Sequence, residues 1–390
     1  MPRRREDLVK HVLCERKTYH PPHGTPTSTP SGELERRTLP AAAARAVCDT
    51  AHEIAITIDA VASSSGQACP TLADPRLIDL VDARVTDLPD AVRTGVAPPA
   101  TSAGATIISG LPVRDDELGP TPRDWREAAA WSADPEQRRS SFELDIAMLL
   151  LARAAGEPFG WRGQQGGRLV NNIVPSPGHE QEQSGASSTT LLSPHTEDAF
   201  HPGRAHLLML GCLRNPDRVG TTVSSVRQVR LDERQRRLLG RAHLPILPDV
   251  SYGTDFHRYP TAPVATVGDR DGLPTLRYDP AYTPIDDADD EFRSAYEHLG
   301  AELERVCRTA ILEPGELLLV DNDAVVHGRV PFTPRYDGSD RWLKRVNVRL
   351  PQRRRSAAEA AENGYGQHTV TPFSARSVAR PPGTVAPDLN

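Results

Sequence analysis

The segment LLSPHTEDAFHP, residues 191–202, holds two histidines and two carboxylates beside an apolar start. In an extended strand, residues two apart point to the same face and lie about 6.6 Å apart. His195 and Glu197 can therefore converge on one metal ion. His201 shares their parity but would lie roughly 20 Å from His195 if the strand continues, which makes it a poor third ligand. An isolated His-x-Glu triplet is more often a solvated strand face, so a further ligand must be found elsewhere.

The best candidate for that ligand is His327, in the segment LLLVDNDAVVHGR at residues 317–329. There an apolar strand leads into a histidine followed by glycine. Asp323 has the parity of His327 but would lie roughly 13 Å away along an extended strand. Two imidazoles and one carboxylate on one side of an ion leave positions open opposite, as non-haem Fe(II) needs for O₂ and a co-substrate. Zinc could use the same ligands, so a zinc hydrolase stays open.

The strand-like segment RWLKRVNVRL, residues 341–350, alternates between a cationic face and a mostly apolar face. Arg341, Arg345 and Arg349 share the cationic face. A guanidinium group can bind a carboxylate through two parallel hydrogen bonds. The segment is either a half-exposed strand or the wall of a pocket for an anion. An iron site beside such a clamp indicates a 2-oxo acid that chelates the metal and is anchored at its far end.

The spacing of apolar runs predicts the fold class. From residue 168 onward, short strand-like runs alternate with turn residues, which is typical of an antiparallel sandwich or jelly roll. We therefore predict a mainly β protein with flanking helices, a cupin-like double-stranded β-helix. One domain is expected at 41–355, made of a helical or mixed part (41–155) and a jelly-roll core (156–350) with a helical insert near 286–312. Residues 1–40 are predicted to be a disordered or extended tail, and 356–390 a C-terminal extension.

Composition excludes several classes of protein. The net charge of −6 carries no large single-sign block, so a nucleic-acid partner is not expected. No apolar run approaches the ~20 residues of a membrane span, and the basic N-terminus does not read as a signal peptide. The five cysteines are scattered without a CxxC pair. They indicate reduced thiols in a cytoplasmic protein.

Three longer stretches carry a family resemblance: GEPFGWRGQQGGRLVNNIVP at 156–175, HTEDAFHPGRAHLLMLGCLRNPDRVGTTVSSV at 195–226, and DNDAVVHGRVPFTPRYDGSDRWLKR at 321–345. Through them the chain resembles the clavaminate synthase-like group of Fe(II)/2-oxoglutarate oxygenases, in the taurine dioxygenase superfamily. The resemblance covers roughly residues 75–352. The group includes asparagine and arginine hydroxylases of peptide-antibiotic pathways. It implies a double-stranded β-helix that uses Fe(II), 2-oxoglutarate and O₂.

The resemblance also implies roles for individual residues. His195, Glu197 and His327 would bind iron, and Arg341 would bind the distal carboxylate of 2-oxoglutarate. A threonine of GTTVSSV helps to hold that carboxylate, and the family spacing favours Thr222 over Thr221. Related halogenases carry a small residue where this chain has a carboxylate at Glu197, so hydroxylation is the expected outcome.

On the substrate side, the resemblance points to an amino acid. Gln164 would contact its amine and Arg345 its α-carboxylate, while Ser187 or Ser188 would assist. Each of these residues could equally have a structural role. Asp279 would meet part of a cationic side chain, but Ala281 stands where the arginine hydroxylases carry a second carboxylate, which puts arginine itself in doubt.

We therefore predict an oxygenase that hydroxylates an unactivated C–H bond of an amino acid or a related small molecule, in antibiotic-like biosynthesis. Desaturation or cyclisation, and a substrate tethered to a carrier protein, stay open. A non-catalytic jelly-roll protein that keeps a structural metal is the alternative from another class. The sequence does not predict the oligomeric state.

Overall fold

A computed structural model describes residues 34–65, 72, 74–131, 139–253 and 255–373. The parts of the predicted tails at 1–33 and 374–390 lie outside the described residues. The α-helices are α1 (Ala41–Ser65), α2 (Pro75–Arg84), α3 (Asp90–Gly95), α4 (Asp115–Leu118), α5 (Trp125–Trp131), α6 (Arg139–Ala155), α7 (Glu233–Leu239), α8 (Asp290–Arg305) and α9 (Ala357–Ala360). The strands are β1 (Glu35–Thr38), β2 (Ala105–Ser109), β3 (Glu157–Trp161), β4 (Val170–Ile173), β5 (Leu192–His195), β6 (Leu207–Arg214), β7 (Thr221–Ser225), β8 (Ala242–Leu244), β9 (Val264–Ala265), β10 (Val267–Arg270), β11 (Leu273–Leu276), β12 (Arg308–Ala310), β13 (Leu317–Asp321), β14 (Val325–Arg329), β15 (Trp342–Arg349) and β16 (Thr369–Val370).

The larger sheet has eight strands in the order β1-β2-β13-β6-β15-β3-β16, with β4 also paired to β15. Every residue of its central strand β6 is buried. Leu207 and Met209 pack into a core shared with the helices, whereas Leu208 and Leu210 pack into a core on the opposite face. Because both faces of β6 are covered, its sequence is a continuous apolar run and does not alternate.

The helices α1, α2 and α6 cover one face of this sheet. Residues 145–152 of α6 are all buried, so this helix is surrounded by protein on every side. Its one charged residue there, Asp145, contacts Lys344 of β15 (Nζ–Oδ1 2.6 Å) and Arg168 (Nη2–Oδ2 3.3 Å). No helix in the described ranges is both long and apolar enough to cross a membrane.

The smaller sheet has four strands in the order β12-β7-β14-β5. Residues of both sheets and of α8 share the second core, among them Leu210, Val223 and Leu299. Asp289 caps α8 by accepting a hydrogen bond from the backbone N–H of Phe292. The helix buries one apolar stripe, as its sequence predicts. The molecule is thus sheet-rich with flanking helices, as expected.

Both predicted domain boundaries fall inside packed structure. Residues 35–38, assigned to the tail from the sequence, form β1 and pair in parallel with β2. Half-buried and exposed residues alternate along β1, as at a half-covered sheet edge. Because its side chains are mostly charged, the sequence of this segment shows no apolar strand pattern. In the C-terminal extension, β16 pairs with β3 and Phe373 is buried in the helix-side core. Both segments up to the limits of the described residues therefore belong to the domain.

Candidate active site

The structure brings the three predicted metal ligands together. His195 ends β5 and pairs directly with His327 of β14 across the smaller sheet. One ligand atom from each of His195, Glu197 and His327 lies within 4.8 Å of the others. Glu197 Oε2 is 3.8 Å from His195 Nε2 and 3.3 Å from His327 Nε2. Strand β5 stops at His195, so Glu197 reaches the site from the following turn and not from the strand itself.

Neighbouring backbone and side-chain groups fix these ligands. His195 Nδ1 donates a hydrogen bond to the carbonyl of Ser193 (2.9 Å), which leaves the Nε2 lone pair of the neutral ring for a metal. Asn322 accepts from the Glu197 N–H (2.9 Å) and donates to the Glu197 carbonyl (3.1 Å). The donor set of two imidazoles and one carboxylate fits Fe(II), which supplies O₂ chemistry when bound.

The charges around the triad favour an ionised carboxylate. Burial would raise the pKa of Glu197, but the guanidinium of Arg345 contacts its other carboxylate oxygen and holds the pKa well below its usual range. Burial likewise opposes the charged form of His195, yet the neighbouring carboxylates of Glu197 and Asp279 raise its pKa to about 9. Burial and the charge of His195 lower the pKa of His327. Metal binding at these imidazoles therefore releases a proton.

Arg341 lies in the interior with a guanidinium that lacks a counter-charge. It is 6% exposed and donates from Nη2 to the hydroxyl of Thr221 at 3.0 Å. Among the described residues, no carboxylate lies within ion-pair distance of it, and its Nε has no acceptor. Burial lowers the pKa of Arg341 to about 10. A buried cation without a carboxylate partner is suited to binding an anion.

The geometry favours Thr221 over Thr222, the threonine preferred from the sequence. In the register of β7 with β14, Val223 faces His327 and Thr222 faces Gly328. Alternate residues of a strand point to opposite faces, so Thr221 shares the face of Val223 and His327. Thr222 points the other way. It is Thr221 that contacts Arg341.

Two of the predicted substrate contacts meet beside Glu197. Arg345 Nη2 donates to Gln164 Oε1 at 2.7 Å and to Asn171 Oδ1 at 3.2 Å. Gln164 in turn donates from Nε2 to the hydroxyl of Ser251 at 3.2 Å. Residues from β15, from the segment after β3 and from the connection between β8 and β9 thus converge at one end of the metal triad.

The remaining substrate candidates occupy different surroundings. Asp279 accepts a hydrogen bond from the Ala281 N–H (3.1 Å), and burial raises its pKa to about 7. Asp279 also raises the pKa of His195, so its carboxylate lies near the metal triad. Ser187 and Ser188 are buried, and Ser187 accepts a hydrogen bond from Arg329 Nη2 at 3.0 Å.

Sequence reasoning missed a group that holds the turn after Glu197. Asp198 has a left-handed backbone (φ 52°) and accepts hydrogen bonds from Trp161 Nε1 (2.6 Å) and from the hydroxyl of Tyr252. Burial, together with the charge of Glu197, raises the pKa of Asp198 to about 7. The position of Asp198 directly after the metal pair was the available signal. Its partners are 37 and 54 residues away, which no local pattern reveals.

The chain belongs to the family described as taurine catabolism dioxygenase TauD, TfdA family, whose pattern residues 146–347 match. It is 38% identical to enduracididine beta-hydroxylase of Streptomyces hygroscopicus, over 66% of this chain and 80% of that protein. It is 39% identical to L-asparagine oxygenase of Streptomyces coelicolor, over 67% of this chain and 75% of that protein.

Solved structures agree with these sequence relatives. The non-heme iron oxygenase OrfP in complex with Fe and alpha-ketoglutaric acid has a TM-score of 0.67 and 33% identity, covering 81% of this chain and 94% of that one. Another OrfP structure holds Fe, succinate and (3S)-hydroxy-L-Arg. The chain described here is an Fe(II)- and 2-oxoglutarate-dependent oxygenase, which removes the zinc hydrolase and the non-catalytic metal protein from consideration.

Proposed function

We propose that the enzyme hydroxylates an unactivated C–H bond of an amino acid, or of a small molecule derived from one, in specialised-metabolite biosynthesis. Each turnover converts 2-oxoglutarate and O₂ into succinate and CO₂. The observation that carries the proposal is the placement of Arg345. This second arginine is partly buried and lies on β15, four residues after Arg341, yet it contacts Gln164 and Glu197 beside the metal triad.

Two arginines with separate surroundings suit two different carboxylates. Arg341 and Thr221 suit the distal carboxylate of 2-oxoglutarate, since their pocket offers a cation and a hydroxyl without a counter-ion. Arg345 and Gln164 suit the carboxylate and amine of an amino acid, because a guanidinium fork and an amide oxygen match those groups. Asp279 is a candidate contact for the substrate side chain, and Ser187 or Ser188 for its backbone.

The relatives support this assignment. The enduracididine and asparagine enzymes are named for amino-acid substrates, one as a hydroxylase and the other as an oxygenase. The two sheets of the chain fit a double-stranded β-helix with the metal triad between them. The unpaired thiols of Cys48, Cys212 and Cys307 suit the reducing cytoplasm, where we place the reaction.

The protein's own contribution is placement and protection from water. His195, Glu197 and His327 would hold Fe(II), which would supply the chemistry of O₂ activation. Substrate placement to within about 1 Å decides which carbon reacts. The sequence does not decide between hydroxylation, desaturation and cyclisation, so the outcome must be determined by analysing the product.

The test is a panel of free amino acids, and of the same amino acids bound to a carrier protein, assayed for succinate release with mass spectrometry of the product. A gain of 16 mass units on one amino acid is the expected result. The Arg345→Leu variant should lose amino-acid-dependent succinate release and keep 2-oxoglutarate binding. Succinate release with no amino acid of the panel oxidised, in either form, would contradict the proposed substrate class.

A further inference from the structure

A third arginine, Arg329, lies close to the co-substrate pocket, and the proposed function gives it no role. It is the second residue after His327 on β14, so both side chains point to the same face of the smaller sheet. Across the sheet it pairs with Thr221, the residue that contacts Arg341. Arg329 is therefore a neighbour of the anchor for the distal carboxylate.

The contacts of Arg329 are all with uncharged groups. Its guanidinium donates to the carbonyl of Ser188 (2.8 Å), to the carbonyl of Thr190 (3.0 Å) and to the hydroxyl of Ser187 (3.0 Å). The guanidinium carbon Cζ of Arg329 lies 4.9 Å from the ring centre of Phe332. The side chain is 5% exposed, and within the described ranges no carboxylate lies at ion-pair distance from it.

Two buried guanidinium groups without counter-ions thus lie side by side. Burial and the neighbouring charge of Arg341 together lower the pKa of Arg329 to about 9. Removing a charge from water costs several kcal/mol when no opposite charge compensates it, and two like charges add their mutual repulsion. An arrangement of this kind is stable in a working enzyme when an anion binds beside it.

We propose that Arg329 is a positioning residue whose charge selects a doubly charged 2-oxo acid as co-substrate. Three of its five N–H groups donate to the segment 187–190, and we assign its effect on the distal carboxylate to the field of its charge. Arg341 and Thr221 supply the direct contacts, and Arg329 doubles the positive charge of the pocket. The inference rests on the co-substrate site of the proposed function.

A purely structural role makes a different prediction. If Arg329 served only to hold the segment 187–190, any change of its side chain would disturb the pocket for every 2-oxo acid alike. If its charge acts on the distal carboxylate, the loss should be confined to ligands that carry this carboxylate. The two roles are separated by varying the charge of the ligand and the charge at position 329 independently.

The experiment is an anaerobic titration of the Fe(II)-loaded protein, followed through the visible charge-transfer band of the iron–2-oxo acid complex. The ligands are 2-oxoglutarate and 2-oxopentanoate, which has the same chain length but an uncharged end. The variants are Arg329→Gln, which removes the charge, and Arg329→Lys, which keeps the charge but cannot reproduce the three hydrogen bonds. Arg335→Gln is the control, since Arg335 pairs with Asp217 at the surface.

We expect Arg329→Gln to raise the Kd of 2-oxoglutarate about tenfold and to leave that of 2-oxopentanoate within about twofold. Arg329→Lys should keep the ratio of the two Kd values within about threefold of the wild-type ratio, and Arg335→Gln should change neither Kd. An unchanged Kd for 2-oxoglutarate in Arg329→Gln would overturn the proposal. So would an equal weakening of both ligands in Arg329→Gln. A wild-type protein that forms no band would instead contradict the co-substrate site itself.

Discussion

At the scale of single residues, the site is built from parity along strands and from register between them. The shared face of Arg341 and Arg345 could be read from the sequence because strand periodicity is local, whereas Glu197 reaches the metal site from the turn after β5. The choice between Thr221 and Thr222 could not, since two adjacent threonines differ only in the face to which the pairing of β7 with β14 assigns them. The contacts of Asp198 could not be predicted from the sequence either, because its partners lie far away along the chain.

The two threonines give a matched pair of variants. Thr221→Val removes the hydroxyl that accepts from Arg341 and should raise the Kd of 2-oxoglutarate about three- to tenfold, as one buried hydrogen bond is lost. Thr222→Val should leave this Kd within about twofold, because the side chain lies on the opposite face. Titration of the Fe(II) protein measures both. A larger effect at Thr222 would contradict the assigned register.

His195 and His201, the two histidines of residues 191–202, give a second matched pair of variants. His195→Ala should abolish stoichiometric Fe(II) binding and turnover, because it removes one of three protein ligands. His201→Gln should retain iron, since His201 Nε2 donates to the carbonyl of Gln367 (3.1 Å) outside the triad. Metal analysis after gel filtration distinguishes them. Full iron content in His195→Ala would reassign the centre.

At the scale of helices and strands, the sequence predicted the long apolar and alternating segments well. The runs that became β6, β13 and β15 and the stripe of α8 have patterns set by burial on one face or on both. The edge strand β1 and the closing strand β16 escaped prediction because they are short and half-exposed. Their pairing depends on strands that lie far away in the chain.

The C-terminal segment is held by a buried ion pair. Arg277 donates both Nη groups to Glu362 (2.8 and 2.9 Å) and its Nε to the carbonyl of Ala199 (2.9 Å), two residues after Glu197. Asn363 donates to the carbonyl of Pro260 (2.9 Å). The segment after β15 thus connects the turn that carries Glu197 to the connection between β8 and β9.

We expect Glu362→Gln to lower the free energy of unfolding by about 2–3 kcal/mol, because it leaves the buried guanidinium of Arg277 with only the more distant carboxylate of Glu359, 3.8 Å away. Glu233→Gln is the control. Its partner Arg237 is one helical turn away at the surface, so the cost should be within about 0.5 kcal/mol. Urea unfolding measures both. Equal losses in the two variants would show that burial of the Arg277 pair carries no extra stability.

At the scale of the whole molecule, a buried charge network ties the sheets to the C-terminal segment. Asp323 is fully buried and contacts Arg270 and Arg355, with Arg353 at 3.5 Å. Burial would raise its pKa, but Arg355 and Arg204 hold the pKa well below the usual range. This network explains why Asp323, despite sharing the parity of His327, has no place at the metal.

The network predicts a pH-dependent contribution to stability. The pKa of Asp323 is lower in the folded than in the unfolded chain, so its stabilisation is complete above the unfolded value of about 3.9 and is lost as the pH falls below it. Asp323→Asn should lower the free energy of unfolding by about 3–5 kcal/mol at pH 7. The gap to the wild type should stay constant down to about pH 5 and narrow below pH 4. Urea unfolding at several pH values checks this, and a gap that widens on acidification would contradict it.

The metal site and the residues proposed to contact the substrate are held in place by different parts of the fold. His195, His327 and Thr221 are locked by strand pairing, whereas Gln164, Ser251 and Tyr252 come from connections between strands. A library of variants confined to residues 246–251, which spares Tyr252 and its contact with Asp198, could therefore search for new substrates while the metal and co-substrate sites stay unchanged. Directed evolution of this enzyme would best begin there.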